Sequence, residues 1–224
     1  IKDNEYYLPL GFTYDTYISR EIFNQLTPLE KSRTIVDSIV LEQQEIKDTS
    51  IAANNKYIDK SISYRLDEEQ GGKYRVFFPY EEYLTGFEKR TGEIYVCIRE
   101  LHGNAEVYVG NKEIRIKDES FLYYTGIEEY WFNVTEVKQD QTGYYFDINI
   151  DGETDFDEAK LSIYWHPINY EGIKNRQQNV MKDVRIDNNR ISGNITCNDN
   201  EYLFLSIPFS SGWTAYVDGE KEDI

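Results

Sequence analysis

The run Leu161-Ser162-Ile163-Tyr164-Trp165-His166-Pro167 holds the side chains whose types and spacing come nearest to a recognition site. Strand alternation turns Leu161, Ile163 and Trp165 inward and sets Ser162, Tyr164 and His166 on the opposite face. A phenol ring beside an imidazole suits the apolar face and hydroxyl rim of a sugar, so Tyr164 and His166 form a candidate glycan-facing pair. Trp131, in Tyr130-Trp131-Phe132, is a further candidate of the same kind. The chain carries 20 Tyr, 11 Phe and 3 Trp. Sheet and core packing accounts for most of these rings.

Nothing nominates a catalytic centre. His102 and His166 are the only histidines, too few for a histidine-rich metal site, and neither stands in a Ser/His/Asp or Cys/His arrangement. His102-Gly103 reads as a solvated hairpin turn. The acidic run Asp151-Gly152-Glu153-Thr154-Asp155-Phe156-Asp157-Glu158 offers oxygen ligands at alternate positions, but its glycine comes second and no bidentate glutamate follows at the calcium-loop distance. An acidic surface loop is the expectation there. Carboxylates are plentiful, and none is marked as an acid–base pair across a cleft. Two cysteines, Cys97 and Cys197, exclude a disulfide framework or a four-cysteine zinc site. Alternation puts Cys97 on one face with Tyr95 and Arg99, opposite Ile94, Val96 and Ile98, while Cys197 shares its face with Ile195; two free thiols are expected. With 41 Asp plus Glu against 24 Lys plus Arg, the net charge is −17, and the cations are scattered. Nucleic acid is excluded as a partner on that balance.

The elements that would position these residues change character along the chain. Thr27-Pro28-Leu29-Glu30 is a capping box with proline at the first helical position, and Ile35, Val36, Ile39 and Val40 continue at helical spacing to Glu42. A shorter helix is predicted over 19–26, and Glu42 to Asn55 reads as a linker. From Tyr57 onward the period is two. Short strands are predicted at 61–66, 74–78, 93–100, 105–109, 113–116, 130–134, 144–150, 160–165, 180–186, 190–196, 202–207 and 213–217. Gly71-Gly72, Gly110-Asn111, Asn188-Asn189 and Asp218-Gly219 suit tight hairpin turns. The predicted fold is mainly β, a jelly-roll-like antiparallel sandwich over 56–224 with a small helical segment, 1–45, packed on it or linked to it. The strand ending at Val217 enters an Asp-Gly turn whose return strand is expected beyond Ile224, so the sandwich is expected to be cut at this hairpin and the natural polypeptide to continue. No stretch approaches the ~20 apolar residues of a membrane-spanning helix.

Two blocks carry a resemblance. Leu203-Phe204-Leu205-Ser206-Ile207-Pro208-Phe209-Ser210-Ser211-Gly212-Trp213-Thr214-Ala215-Tyr216-Val217-Asp218-Gly219-Glu220 is similar to the closing signature of the YfhO family of bacterial membrane proteins. Leu8-Pro9-Leu10-Gly11-Phe12-Thr13-Tyr14-Asp15-Thr16-Tyr17-Ile18-Ser19, with Phe23, Leu26, Lys31 and the run to Glu42, resembles the segment that opens the same family's large extracytoplasmic region. The order of the blocks is the family's. The resemblance implies a domain on the outer face of the plasma membrane, belonging to a multi-pass protein similar to glycosyltransferases that use a lipid-linked sugar. It implies transfer from an undecaprenyl-phosphate carrier to an envelope polymer such as lipoteichoic acid, with the acidic base in a loop near the start of the protein and outside this segment. This piece would then carry no cofactor, metal or catalytic residue; its partners would be its own membrane region and the envelope glycopolymer. The resemblance also marks Trp213 as structural, packed across the sandwich. The alternative reading is a carbohydrate-binding or adhesion sandwich. A hydrolase on the same scaffold finds no support beyond generic carboxylates.

Overall fold

The computed structural model describes residues 4–46, 51–53, 60–79, 92–117, 127–141, 143–198, 200–222 and 224. It divides the chain differently from the predicted 1–45 and 56–224. One compact unit is Tyr57–Ile168; the other joins Ile1–Lys56 to Asn169–Ile224. Part of the predicted linker, 47–50 and 54–55, lies outside the described residues.

The N-terminal part of the second unit opens with β1 (Gly11–Tyr14), buried throughout, and β2 (Tyr17–Ser19). Ser19 caps α1 (Arg20–Gln25). The predicted capping box starts α2 (Pro28–Asp37): Thr27 Oγ1 accepts from the Glu30 amide at 3.2 Å and Glu30 Oε2 from the Thr27 amide at 2.8 Å. The helix ends before Glu42. Ile39–Leu41 forms β3, paired in parallel with β2, because a β-branched pair fits a pleated neighbour better than the crowded turn of a helix.

The sandwich occupies Tyr57–Ile168 alone. Its strands are β4 (Lys60–Ser61), β5 (Arg65–Glu69), β6 (Lys73–Pro79), β7 (Gly92–Arg99), β8 (Gly103–Val109), β9 (Lys112–Lys117), β10 (Glu129–Val134), β11 (Lys138–Gln139), β12 (Gly143–Thr154) and β13 (Leu161–Pro167). Four form the sheet β10-β7-β13-β4; the others form β5-β6-β12-β8-β9, with β11 beside β12. Every pairing here is antiparallel. Ile94, Val96, Ile98, Phe132 and Ile163 of the first sheet share one core with Val76, Val107, Phe146 and Ile148 of the second. That is the alternation read along β7, β12 and β13.

The chain then returns to the other unit through α3 (Tyr170–Arg176), whose Asn169 cap accepts from the Gly172 amide at 2.9 Å. β14 (Lys182–Asp187) and β15 (Arg190–Asn194) form a hairpin. β16 (Tyr202–Leu205) pairs antiparallel with β1, Gly11 opposite Leu205 and Phe12 opposite Phe204. Thus residues from the two blocks of family resemblance meet in one ladder. β17 (Ala215–Val217) is followed by β18 (Glu220–Glu222), so the hairpin expected to be open has its return strand. Asp218 and Gly219, at φ 51° and 89°, make the turn; the return strand is Glu-Lys-Glu, which carries no apolar signal. Trp213 precedes β17 and lies outside the sandwich core, a correction that follows from β16 and β17 belonging to the other unit.

Tyr14 anchors that unit. Its hydroxyl donates to the Ile35 carbonyl, and the Arg176 guanidinium carbon lies 5.1 Å from its ring centroid. Arg176 also donates to the Thr13 carbonyl at 2.7 Å and to Asp15 at 2.9 Å. Burial pushes the Tyr14 phenol up to about 12, against the pull of Arg176 and with a push from Asp37.

Two outcomes follow for stability. A Cβ on Gly92 would overlap the indole of Trp165, itself 5% exposed, so Gly92→Ala should cost about 1–3 kcal/mol in denaturant unfolding. Because the Tyr14 phenol is raised from 10.0 to about 12, its contribution is fully present below pH 10 and disappears as pH climbs toward 12. The denaturation midpoint should therefore fall across that window in the wild type by more than in Tyr14→Phe.

Candidate functional site

The central strand β7 has neighbours on both sides, so its inward residues force the rest outward. Glu93, Tyr95, Cys97 and Arg99 face away from the core. Register sets Asn133, Trp131 and Glu129 of β10 beside Tyr95, Cys97 and Arg99. On the other edge, Ser162, Tyr164 and His166 of β13 stand opposite Cys97, Tyr95 and Glu93.

Two hydrogen-bonded groups cover this face. In the first, Arg99 donates to Glu129 Oε1 at 2.9 Å, to Ser162 Oγ at 3.0 Å and to the Tyr164 hydroxyl at 3.3 Å. Trp131 Nε1 donates to the other carboxylate oxygen of Glu129 at 3.0 Å, and its ring stacks on Tyr164 with centroids 5.5 Å apart and planes 29° from parallel. The indole N–H, then Arg99, hold the Glu129 carboxyl below the usual carboxylate range against its partial burial. The bond to Tyr164, with that to Glu129, raises the guanidinium further above neutrality. In the second group, Asn133 Nδ2 donates to Glu93 Oε1 at 2.9 Å and to the Tyr95 hydroxyl at 3.1 Å, while that hydroxyl donates to Glu93 Oε2 at 3.0 Å.

The structure brings Trp131 and Tyr164 together as a stacked pair, a proximity that needs register as well as alternation. His166 stands apart from them. It lies on the predicted face, yet it is only 7% exposed and packs edge-on against Tyr95, centroids 5.7 Å apart. So little exposure leaves it little surface for the glycan-facing role expected of it. Arg99, Glu129, Glu93 and Asn133 were not singled out from sequence. The alternation around Cys97 already put Arg99 outward, whereas its partners are set by which strands are neighbours. Cys97 is fully buried between Trp131 and Ser162. Burial pushes its thiol up to about 11, with Arg99 pulling it down and Glu129 pushing it up.

Two carboxylates of the acidic run are taken up by backbone donors. Asp155 accepts from the His102 amide at 2.8 Å and Asp157 caps the turn Glu158–Lys160 by accepting from the Ala159 amide at 2.9 Å. Among the described residues no group of three or more His, Cys, Asp or Glu side chains is arranged to hold a metal ion. His102 sits between β7 and β8, a corner between the two sheets rather than a hairpin.

The β1–β16 ladder joins the two blocks that resemble one family, and comparison with known proteins agrees over the whole length: the family described as bacterial membrane protein YfhO matches residues 1–224. The chain belongs to the YfhO family. An uncharacterized YfhO protein of Bacillus subtilis strain 168 is 24% identical over 238 residues, spanning 100% of this chain and 26% of that relative. The chain therefore spans about a quarter of that protein's length. No solved structure matches. Among the described residues no helix is long and apolar enough to cross a membrane, so in this YfhO-family chain the described part is a β-rich segment of a membrane-protein family.

Both thiols are free, Cys97 buried and Cys197 exposed. A thiol-exchange reagent at neutral pH should modify Cys197 within minutes and Cys97 only when denaturant opens the sandwich. Two equally fast reactions would show that the Trp131 face does not cover Cys97.

Proposed function

We propose that this chain is the extracytoplasmic domain of a multi-pass YfhO-family protein and that it positions an envelope glycopolymer for a sugar transfer performed elsewhere in the protein. The observation that carries the reading is the outer face of the four-stranded sheet. There the stacked Trp131 and Tyr164 and the fixed polar groups of Arg99 and Glu129 lie together. A sugar offers an apolar ring face and a rim of hydroxyls, and this surface supplies flat rings next to charged donors and acceptors whose directions are already set. A chemical step would need a nucleophile or an acid–base pair, and the carboxylates of this face are bound to Arg99, Trp131, Asn133 and Tyr95. The donor in the whole protein would be an undecaprenyl-phosphate-linked sugar and the acceptor a polymer such as lipoteichoic acid.

Charge refines the acceptor contact. A net −17 repels a phosphate backbone, so recognition would run through the sugar substituents of the polymer. A free-standing carbohydrate-binding or adhesion module would use the same face. The family match over the whole chain favours the membrane-protein reading over it.

Titration of purified teichoic-acid fragments into the 224-residue chain, followed by tryptophan fluorescence and chemical shifts, should give saturable binding. Tyr164→Ala and Trp131→Ala should each weaken it at least tenfold, and His166→Ala should act less, through Tyr95. Absence of any response at millimolar fragment would overturn the reading and leave the domain a structural part of its parent.

A further inference from the structure

The two hydrogen-bonded groups on the outer face of β7 adjoin. Register sets Tyr95 between Asn133 and Tyr164, and Cys97, the next outward position of the strand, between Trp131 and Ser162. The carboxylate that Tyr95 and Asn133 hold is therefore anchored in the same row as Tyr164, whose ring stacks on Trp131. Glu93, Trp131 and Tyr164 are all partly exposed.

The two carboxylates of this surface differ in their charge balance. Glu129 is paired with the Arg99 guanidinium at 2.9 Å. Glu93 is held by neutral donors, the Tyr95 hydroxyl at 3.0 Å and the Asn133 amide at 2.9 Å. His166, its register neighbour on β13, is buried and packs on the Tyr95 ring. Two carboxylates thus stand against one guanidinium beside the stacked rings.

Resting on the glycan reading above, we propose that this surface recognises an ammonium-bearing substituent of the glycan, an amino sugar or an aminoacyl ester, and that Glu93 selects for its charge. Three features favour an ammonium group here. The Glu93 carboxylate keeps lone pairs beyond those its two donors take, since each oxygen accepts more than one bond. The negative faces of the Trp131 and Tyr164 rings attract a cation where they meet solvent. The net charge of −17 draws a cationic ligand in and holds off phosphate. A neutral sugar gains only stacking and hydrogen bonds.

Arg99 gives the contact a direction. Its guanidinium bonds Glu129, Ser162 and Tyr164, so a cation is repelled from that end and turned toward Glu93. The selection is modest in size: one partly exposed ion pair and one ring contact favour the charged ligand roughly three- to thirtyfold over its neutral counterpart.

The test uses two pairs of ligands that differ in the ammonium group, titrated into the wild-type chain and into Glu93→Gln and Trp131→Ala, with thermal melts confirming that each variant is folded. One pair is a glucosamine oligomer and its N-acetylated form. The other is teichoic-acid fragments carrying aminoacyl esters and the same fragments after mild base has removed them. In the wild type the ammonium form of at least one pair should bind roughly three- to thirtyfold tighter, with the difference shrinking as salt is raised; the pair that responds identifies the source. Glu93→Gln should erase the preference and leave the neutral form's affinity unchanged, whereas Trp131→Ala should weaken both forms. Equal affinity for charged and neutral forms, or a preference that survives Glu93→Gln through net charge alone, would overturn the ammonium proposal while leaving glycan recognition in place. Absence of binding by all four ligands would overturn both.

Discussion

Inward burial of Ile94, Val96 and Ile98 is the constraint on which the sandwich and its outer face both depend. β7 is paired on both edges, and these three side chains are at most 1% exposed. The side-chain period of a strand is two, so their burial leaves Glu93, Tyr95, Cys97 and Arg99 no other direction. A slip of one residue would drive Arg99 and Glu93 into a core shared with Phe146 and Ile148, at a cost far above any surface contact. The same burial fixes which residues of β10 and β13 come alongside. Geometry at the candidate site is therefore inherited from the core.

This explains how much was legible in the sequence. Alternation alone recovers the long strands of the sandwich and the outward direction of Tyr164 and Arg99, because each is a local property of one strand, but it merges β4 and β5 into one strand over 61–66 and misses the two-residue β11. It cannot recover the Trp131–Tyr164 stack or the Arg99–Glu129 bond, since those depend on β10 and β13 flanking β7. His166 shows the limit in one residue: alternation gives its face but not its burial beside the ring of Tyr95. Outside the sandwich, Ile39–Leu41 keeps the apolar spacing of the preceding helix and still becomes a strand, because β2 offers it a partner. β18 is invisible to a hydrophobic pattern, being Glu220, Lys221 and Glu222.

The division of the chain has a related cause. β1 and β16 lie almost two hundred positions apart in sequence, and each alone would expose backbone donors and acceptors. Together they close a ladder in which Phe12 and Tyr14 pack against Phe204. The Tyr57–Ile168 sandwich is inserted between the two halves of that ladder in sequence. Reading from one end to the other, a helical start followed by many strands suggests one continuous sandwich; the pairing of the ends shows a segment that brackets it.

Electrostatics and shape then separate what this surface can recognise from what it must refuse. Long-range attraction to a polyanion is unavailable to a chain of net charge −17, so affinity has to come from contacts that act only at close range. Stacked rings and pre-set hydrogen bonds are such contacts: they lose little to salt and pay little ordering entropy on binding. Arg99 does not change this balance, because Glu129 already neutralises it. Its role is directional, fixing the Glu129 carboxylate that also receives the Trp131 indole N–H, and so holding the ring against Tyr164. A charge placed like an anion site instead holds an aromatic platform in place.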